Sequence, residues 1–355
     1  MRIVQLIEST ATGTLAMVQL ISNQFAKENH DVHVIYSVRD DTPTNLLEQF
    51  ESNIKLHHVQ MNGRSLYSIL KELRSKLSSI QPDTVHLHSS YAGFLGRLAS
   101  IGILTGTRFF YSPHCISFMR RDISHIKKLC FIALEKLACL KGCMYIACSK
   151  SEEYEIKKHI GNSVLLIENA VDDKTLNKMP IFPSRGKGMS YIVTVGGIRK
   201  QKNPDLFTEL AKSFDSNDVQ FMWIGDGDIE LKNKLIAAGV IVTGWLSREQ
   251  VADHLANSTI YLSTALWEGM PVSIIEAMAC GLPVVASKCA GNIDVISHER
   301  TGLLFSDVTD GSIAIQKLLV DQTLARSLHV NAIAEVKTRF SESRFFSELS
   351  AAYKC

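Results

Sequence analysis

Residues Trp267–Ser287 read WEGMPVSIIEAMACGLPVVAS, and the fold class follows from this stretch. An apolar run, Ile260–Ser263, precedes it, a helix-spaced segment begins near Val272, and a second apolar run, Val284–Ala286, ends it. Strand, turn, helix and strand in that order form one unit of a parallel sheet, because the helix must carry the chain back to the start of the next strand. Glu268 and Glu276 stand eight residues apart, Glu268 on the loop before the helix and Glu276 about one turn inside it. Between them, Gly269, Met270 and Pro271 form a tight turn. Its amides lie at a helix N-terminus, where unpaired donors and the dipole suit a diphosphate. The two carboxylates can then accept hydrogen bonds from hydroxyls on either side.

The same alternation runs outward in both directions. Toward the N-terminus, Ile3–Ile7, Val32–Tyr36, Val85–His88, Phe109–Ser112, Tyr145–Cys148 and Val164–Glu168 read as strands, with Leu15–Lys27 and Leu66–Ser79 among the helices. The segment MPIFPSRGKGMS, 179–190, breaks the pattern with two prolines and two glycines and reads as a linker. Strands then resume at Tyr191–Val195, Phe221–Ile224, Val240–Val242, Ile260–Ser263, Val284–Ala286 and Leu303–Phe305. The expected fold is α/β: two Rossmann-like, doubly wound domains, 1–178 and 191–340, facing a central cleft. The terminal helix, 341–355, is expected to pack back on the first domain.

Composition narrows the function classes. At 355 residues the chain has room for two ordinary cores, and 46% hydrophobic with 21% charged residues suits a folded globular protein. A net charge of +2 offers no overall attraction to nucleic acid. No stretch reaches the roughly 18 apolar residues of a membrane span, and MRIVQLIEST lacks the layout of a signal peptide. The eight cysteines include no C-x-x-C pair, so a reduced, cytoplasmic chain without structural zinc is expected.

Other loops carry candidate chemistry. VGGIRKQKNP, Val195–Pro204, joins a strand to a helix and holds Arg199 and Lys202. STATGT, Ser9–Thr14, follows the first strand and presents Gly13 and Thr14 ahead of a helix. His114 in YSPHC follows the fourth strand. His86 and His88 in VHLHSS are read as facing opposite sides of the sheet, and so as unable to form one site. Asp226 and Asp228 spell D-x-D on a loop, and Thr243-Gly244-Trp245-Leu246 follows a further strand.

WEGMPVSIIEAMACGLPVV with its E-x7-E spacing, QKNP, IACSKSE and LLIENAVD together resemble retaining glycosyltransferase family 4, over nearly the whole chain. The resemblance implies a GT-B architecture and transfer of a sugar from a nucleotide diphosphate sugar, UDP-linked first and GDP-linked second. The implied acceptor is a glycan or lipid-linked glycan of bacterial surface polysaccharide, such as O-antigen or capsule. Lys202 matches the family lysine for the donor diphosphate. The family arginine falls on Gly197, leaving Arg199, two residues on, to supply that charge. The implied catalytic set is His114, Lys202 and Glu268. The implied donor-binding set is Gly13, Thr14, Arg199, Lys202, Trp245, Leu246, Glu268, Gly269, Met270, Pro271 and Glu276. No cofactor and no metal are expected. Residues 118–140 mix basic residues with an apolar helical face. They read either as a helix packed on the sheet or as a peripheral contact with the cytoplasmic face of a membrane. Competing readings are a UDP-sugar epimerase of the same architecture and a non-catalytic sugar-nucleotide binding protein.

Overall fold

Short apolar runs returned by helices give parallel pairing, and within both sheets the described strands pair in parallel. The computed structural model describes residues 1–161, 163–172, 182, 188–215 and 217–354. The linker expected at 179–190 lies outside the described residues except at 182 and 188–190.

The first sheet contains β1 (Arg2–Ile7), β2 (Asp31–Tyr36), β3 (Lys55–His58), β4 (Thr84–His88), β5 (Arg108–Ser112), β6 (Met144–Ala147) and β7 (Val164–Leu166), in the order 3-2-1-4-5-6-7. Its helices are α1 (Thr12–Lys27), α2 (Leu66–Ile80), α3 (Ser90–Ala99), α4 (His125–Ala138) and α5 (Lys150–His159). The second sheet contains β8 (Ser190–Val195), β9 (Val219–Ile224), β10 (Ile241–Val242), β11 (Ile260–Ser263), β12 (Val284–Ser287) and β13 (Leu303–Phe305), in the order 10-9-8-11-12-13. Its helices run from α6 (Pro204–Lys212) through α7 (Ile229–Ala237), α8 (Arg248–Ala256), α9 (Val272–Ala279), α10 (Asn292–Val295) and α11 (Val308–Val320) to α12 (Gln322–Arg339). The last helix, α13, spans Glu342–Lys354.

Two compact units result. One holds Met1–Asn169 and the end of the chain from Phe345, and the other holds Ala170–Arg344. Helix α13 docks on the first unit through apolar residues three and four apart: Phe345, Leu349 and Tyr353 are buried. Tyr353 stacks on Phe25 of α1 with ring centroids 5.0 Å apart. The second core gathers around Phe207, Trp223, Phe305 and Ile315.

Strand β3 escapes the periodicity reading because KLHH has one aliphatic residue and lies at the sheet edge, half buried. Helix α1 starts three residues before the expected Leu15, at Thr12. The expected loop position of Gly13 and Thr14 is therefore corrected: both lie in the first helical turn, which carries no large apolar side chain and so leaves no mark on the hydrophobic pattern. Among the described residues, no helix is long and apolar enough to cross a membrane.

Helix α4 is fixed to the first unit by one buried charge. The fully buried Arg97 of α3 donates to Glu135 Oε2 at 2.7 Å and to the Tyr145 hydroxyl at 2.8 Å. Tyr111 and Tyr145 donate to Glu135 at 3.1 and 3.0 Å, and the guanidinium lies 4.3 Å from the centroid of the Tyr111 ring. Burial alone would lower the Arg97 pKa, but Glu135, with Tyr111 and Tyr145 beside it, together outweigh burial and keep the guanidinium charged. Removing one partner strands the other without water. Glu135→Leu should therefore cost about 3 kcal/mol or more in urea unfolding of this unit, and Arg97→Met in the same chain should recover much of it. A loss below about 1 kcal/mol would mean the guanidinium finds another partner.

Candidate active site

In the second sheet, β8 and β11 are neighbours at the point where the strand order reverses. Ligands of doubly wound sheets bind outside the carboxyl ends of strands at such a reversal. The loop after β8 carries Arg199, Gln201 and Lys202, and the loop after β11 carries Glu268. The two are joined along their length. Leu266 N–H donates to the Gln201 carbonyl at 2.8 Å, and Thr264 Oγ1 donates to the Lys202 carbonyl at 2.7 Å. Gln201 Nε2 donates to Glu268 Oε2 and to the Trp267 carbonyl, both at 3.1 Å.

At the centre, Lys202 Nζ lies 2.7 Å from Glu268 Oε1, with both side chains largely withdrawn from water. Burial alone would lower the lysine pKa, but the adjacent Glu268 carboxylate raises it, so the ammonium stays charged. Two glycines make the approach feasible. A Cβ on Gly225 would lie 2.3 Å from the Gly196 carbonyl oxygen beside Lys202. One on Gly291 would lie 2.5 Å from Glu268 Cβ, and Gly291 also has φ +84°. Asn203, at φ +53°, caps α6 by accepting from Leu206 N–H, and Pro204 takes the first helical position.

Arg199 is exposed and folds over Gly197: a Cβ on that glycine would meet its Nη2 at 2.6 Å. A guanidinium thus lies over the position where the family pattern has its arginine. Helix α9 begins at Val272 behind the buried Gly269, Met270 and Pro271, and Pro271 offers its first amides no capping side chain. Glu276, in the second turn, is half-buried. Burial raises its pKa and Asp172 adds to that, while Arg248 and Lys202 oppose. Trp245 is half exposed after β10, next to Leu246. The D-x-D letters serve the fold: Asp226 pairs with Lys232 at 2.9 Å, and Asp228 caps α7.

The first unit holds Gly13, Thr14 and His114. Helix α1 has no side-chain cap at Ala11, so its first-turn amides remain available to an anion. His114 follows β5 on a strained turn, with His114 at φ +53° and Cys115 at φ +91°. Glu152, which ends IACSKSE, has no role assigned from the sequence. Its buried carboxylate holds this turn, accepting from Cys115 N–H at 2.7 Å and Ile116 N–H at 2.8 Å.

The reading of His86 and His88 needs correction. Side chains two apart on a strand share a face, and these ring centroids lie 4.0 Å apart. His88 Nδ1 is also 3.0 Å from His114 Nε2, so the cluster reaches the candidate site residue. Burial lowers the pKa of all three imidazoles, that of His114 to about 4, so all are neutral at pH 7.

Comparison with known proteins places the chain among glycosyltransferases. Residues 12–175 match the family described as Glycosyltransferase Family 4, and residues 190–321 match Glycosyl transferases group 1. The chain is 28% identical over 254 residues to an uncharacterized 41.2 kDa protein in the cps region of Klebsiella pneumoniae, covering 68% of this chain and 70% of that one. It is 27% identical over 352 residues to the UDP-Gal:alpha-D-GlcNAc-diphosphoundecaprenol alpha-1,3-galactosyltransferase of Escherichia coli, covering 87% and 86%. Among solved structures, Anabaena HepE in complex with UDP and glucose superposes with a TM-score of 0.83 over 100% of this chain and 99% of that one, at 16% identity.

The strain at Cys115 can be measured. A non-glycine residue in this region costs on the order of 1–3 kcal/mol, and glycine's extra unfolded-state entropy offsets roughly 0.5–1 of that. Cys115→Gly should therefore stabilise the protein by about 1 kcal/mol in denaturant unfolding. Destabilisation of that size would show that the thiol's contacts outweigh the backbone cost.

Proposed function

We propose that this chain, a glycosyltransferase belonging to family 4, moves a sugar with retention from a UDP-sugar to a lipid-linked glycan during bacterial surface-polysaccharide synthesis. The observation that carries the reading is Lys202 held charged against Glu268 where the strand order reverses, beside the uncapped N-terminus of α9. Lys202, Arg199 and the first amides of α9 supply positive potential for a departing diphosphate. With that charge in place the reaction needs no divalent metal. The acceptor hydroxyl attacks on the face the diphosphate leaves. The bond from the anomeric carbon to the phosphate oxygen breaks as the new glycosidic bond forms, and the leaving phosphate takes the hydroxyl proton.

UDP is favoured over GDP by two comparisons: the E. coli relative is named for UDP-Gal, and the Anabaena protein was solved with UDP. The name of that same relative, with its diphosphoundecaprenol, supports a lipid-linked acceptor. Glu276 is assigned to the ribose hydroxyls and Glu268 to the transferred sugar. His114, in the first unit, is assigned to the donor sugar as well.

Acceptor-dependent UDP release tests the reaction, since an epimerase or a binding protein releases none on adding acceptor. Lys202→Ala should lower turnover roughly 100-fold or more, the scale of losing one preorganised charge contact. Glu276→Ala should weaken free UDP binding in calorimetry by about ten- to a hundredfold, the scale of one hydrogen bond to a charged group. Near-normal turnover in folded Lys202→Ala protein, or unchanged UDP affinity in Glu276→Ala, would remove these assignments.

Helix α4 supports a membrane-proximal acceptor. Ile126, Leu129, Leu134 and Leu137 on the helix, with Leu140 just past its end, are 74, 65, 42, 49 and 74% exposed, an apolar face that water does not favour. Arg121, Lys127 and Lys136 stand exposed beside it, as contact with anionic headgroups requires. The protein should sediment with vesicles containing anionic lipid and not with neutral ones, and Ile126→Glu with Leu129→Glu should abolish this. Binding unaffected by the double substitution would assign the face to another partner.

A further inference from the structure

A line of polar side chains crosses the interior of the first unit and ends at His114. In the parallel register Gln5 of β1 pairs with His86 of β4, and His88 of β4 with Ser112 of β5. One face of the sheet therefore presents Gln5, His86 and His88 together, and α13 brings Tyr353 down upon them. All of these groups are buried. The contacts run from His114 Nε2 to His88 Nδ1 (3.0 Å), His88 Nε2 to Gln5 Oε1 (2.7 Å), Gln5 Nε2 to the Tyr353 hydroxyl (3.2 Å), that hydroxyl to His86 Nδ1 (2.6 Å), and His86 Nε2 to Ser112 Oγ (2.8 Å).

Counting protons along this line gives it a direction. Neutral imidazole carries one N–H, the carboxamide oxygen only accepts, and the phenol has a single hydrogen. At 2.6 Å the Tyr353–His86 contact is shorter than N–H···O bonds run, so the phenol O–H is the donor and His86 Nδ1 accepts. With its hydrogen committed, the Tyr353 oxygen accepts from Gln5, which turns the amide N–H toward Tyr353 and the amide oxygen toward His88. His88 must then donate from Nε2 and accept at Nδ1, and His114 must donate from Nε2. Reversing the amide would reverse every bond in the line and give His114 the opposite tautomer. Nδ1 of His114 has no hydrogen-bond partner among the described residues.

We propose that the Gln5 carboxamide, oriented by Tyr353 of the C-terminal helix, fixes His114 as the Nε2–H tautomer, so that its Nδ1 offers a lone pair to a hydroxyl of the bound donor sugar. Gln5, His88 and Tyr353 are positioning residues in this scheme, and only His114 meets the ligand. The tautomer follows from the geometry of the first unit. Its contact with a sugar hydroxyl rests on the transferase reading above.

Ring-15N histidine labelling separates the two. Nitrogen NMR of the wild-type protein at pH 7 should show His114 with a protonated Nε2 and an unprotonated Nδ1, each resonance assigned by its loss in His114→Gln. Tyr353→Phe removes the hydroxyl that orients the amide while keeping the ring stacked on Phe25. His114 should then show both tautomers, and donor KM should rise about twofold as half of the molecules present the wrong nitrogen. A protonated Nδ1 in the wild type overturns the proposal even if no variant folds, as does a single unchanged tautomer in folded Tyr353→Phe. If the tautomers behave as stated while the protein transfers no sugar, the wiring stands and the transferase reading fails.

Discussion

A charged lysine withdrawn from water must have an anion beside it, and in the second unit that requirement joins two loops that are distant in sequence. Lys202 and Glu268 meet at 2.7 Å across the strands where the sheet order reverses. Each remaining local feature serves that meeting. Gln201 and Thr264 tie the loops together, Asn203 and Pro204 start α6 at the required place, and Gly225 and Gly291 leave room for the backbones to approach. The ion pair also keeps the ammonium charged without the cost of an unpaired buried charge.

The first unit solves a different problem, that of polar groups inside a sheet. The buried His86 and His88 are neutral and linked through Gln5 and Tyr353, so each accepts or donates in only one sense. Glu152 plays a comparable part for backbone. A carboxylate with two oxygens can receive several amides at once, and it holds the His114–Cys115 turn against its unfavourable φ angles. Arg97 and Glu135 do the same for α4, whose opposite face remains apolar and exposed.

The differences between sequence and structure have specific causes. Strand β3 was invisible because its charged and histidine residues suit an edge, where burial is partial. Helix α1 was read too short because its first turn is made of small residues. The histidines of β4 were misassigned through the strand period itself, which puts alternate residues on one face. Glu152, Gln5 and Tyr353 gave no usable signal. A glutamate near a helix start, a glutamine in a strand and a tyrosine near the terminus are each common, and only their partners distinguish them.

The sequence by itself determined what depends on neighbours along the chain: the alternation of strands and helices, the turn before α9, and the E-x7-E spacing that places Glu268 before the helix and Glu276 within it. Those features are local, because hydrophobic period and turn chemistry act over a few residues. The tertiary structure alone decided which distant groups touch: Gln201 with Glu268 across 67 residues, and Gln5 with Tyr353 across 348. Strand order and register set those pairings. They arise from backbone hydrogen bonds common to every residue, and so leave no trace in the side chains that they bring together.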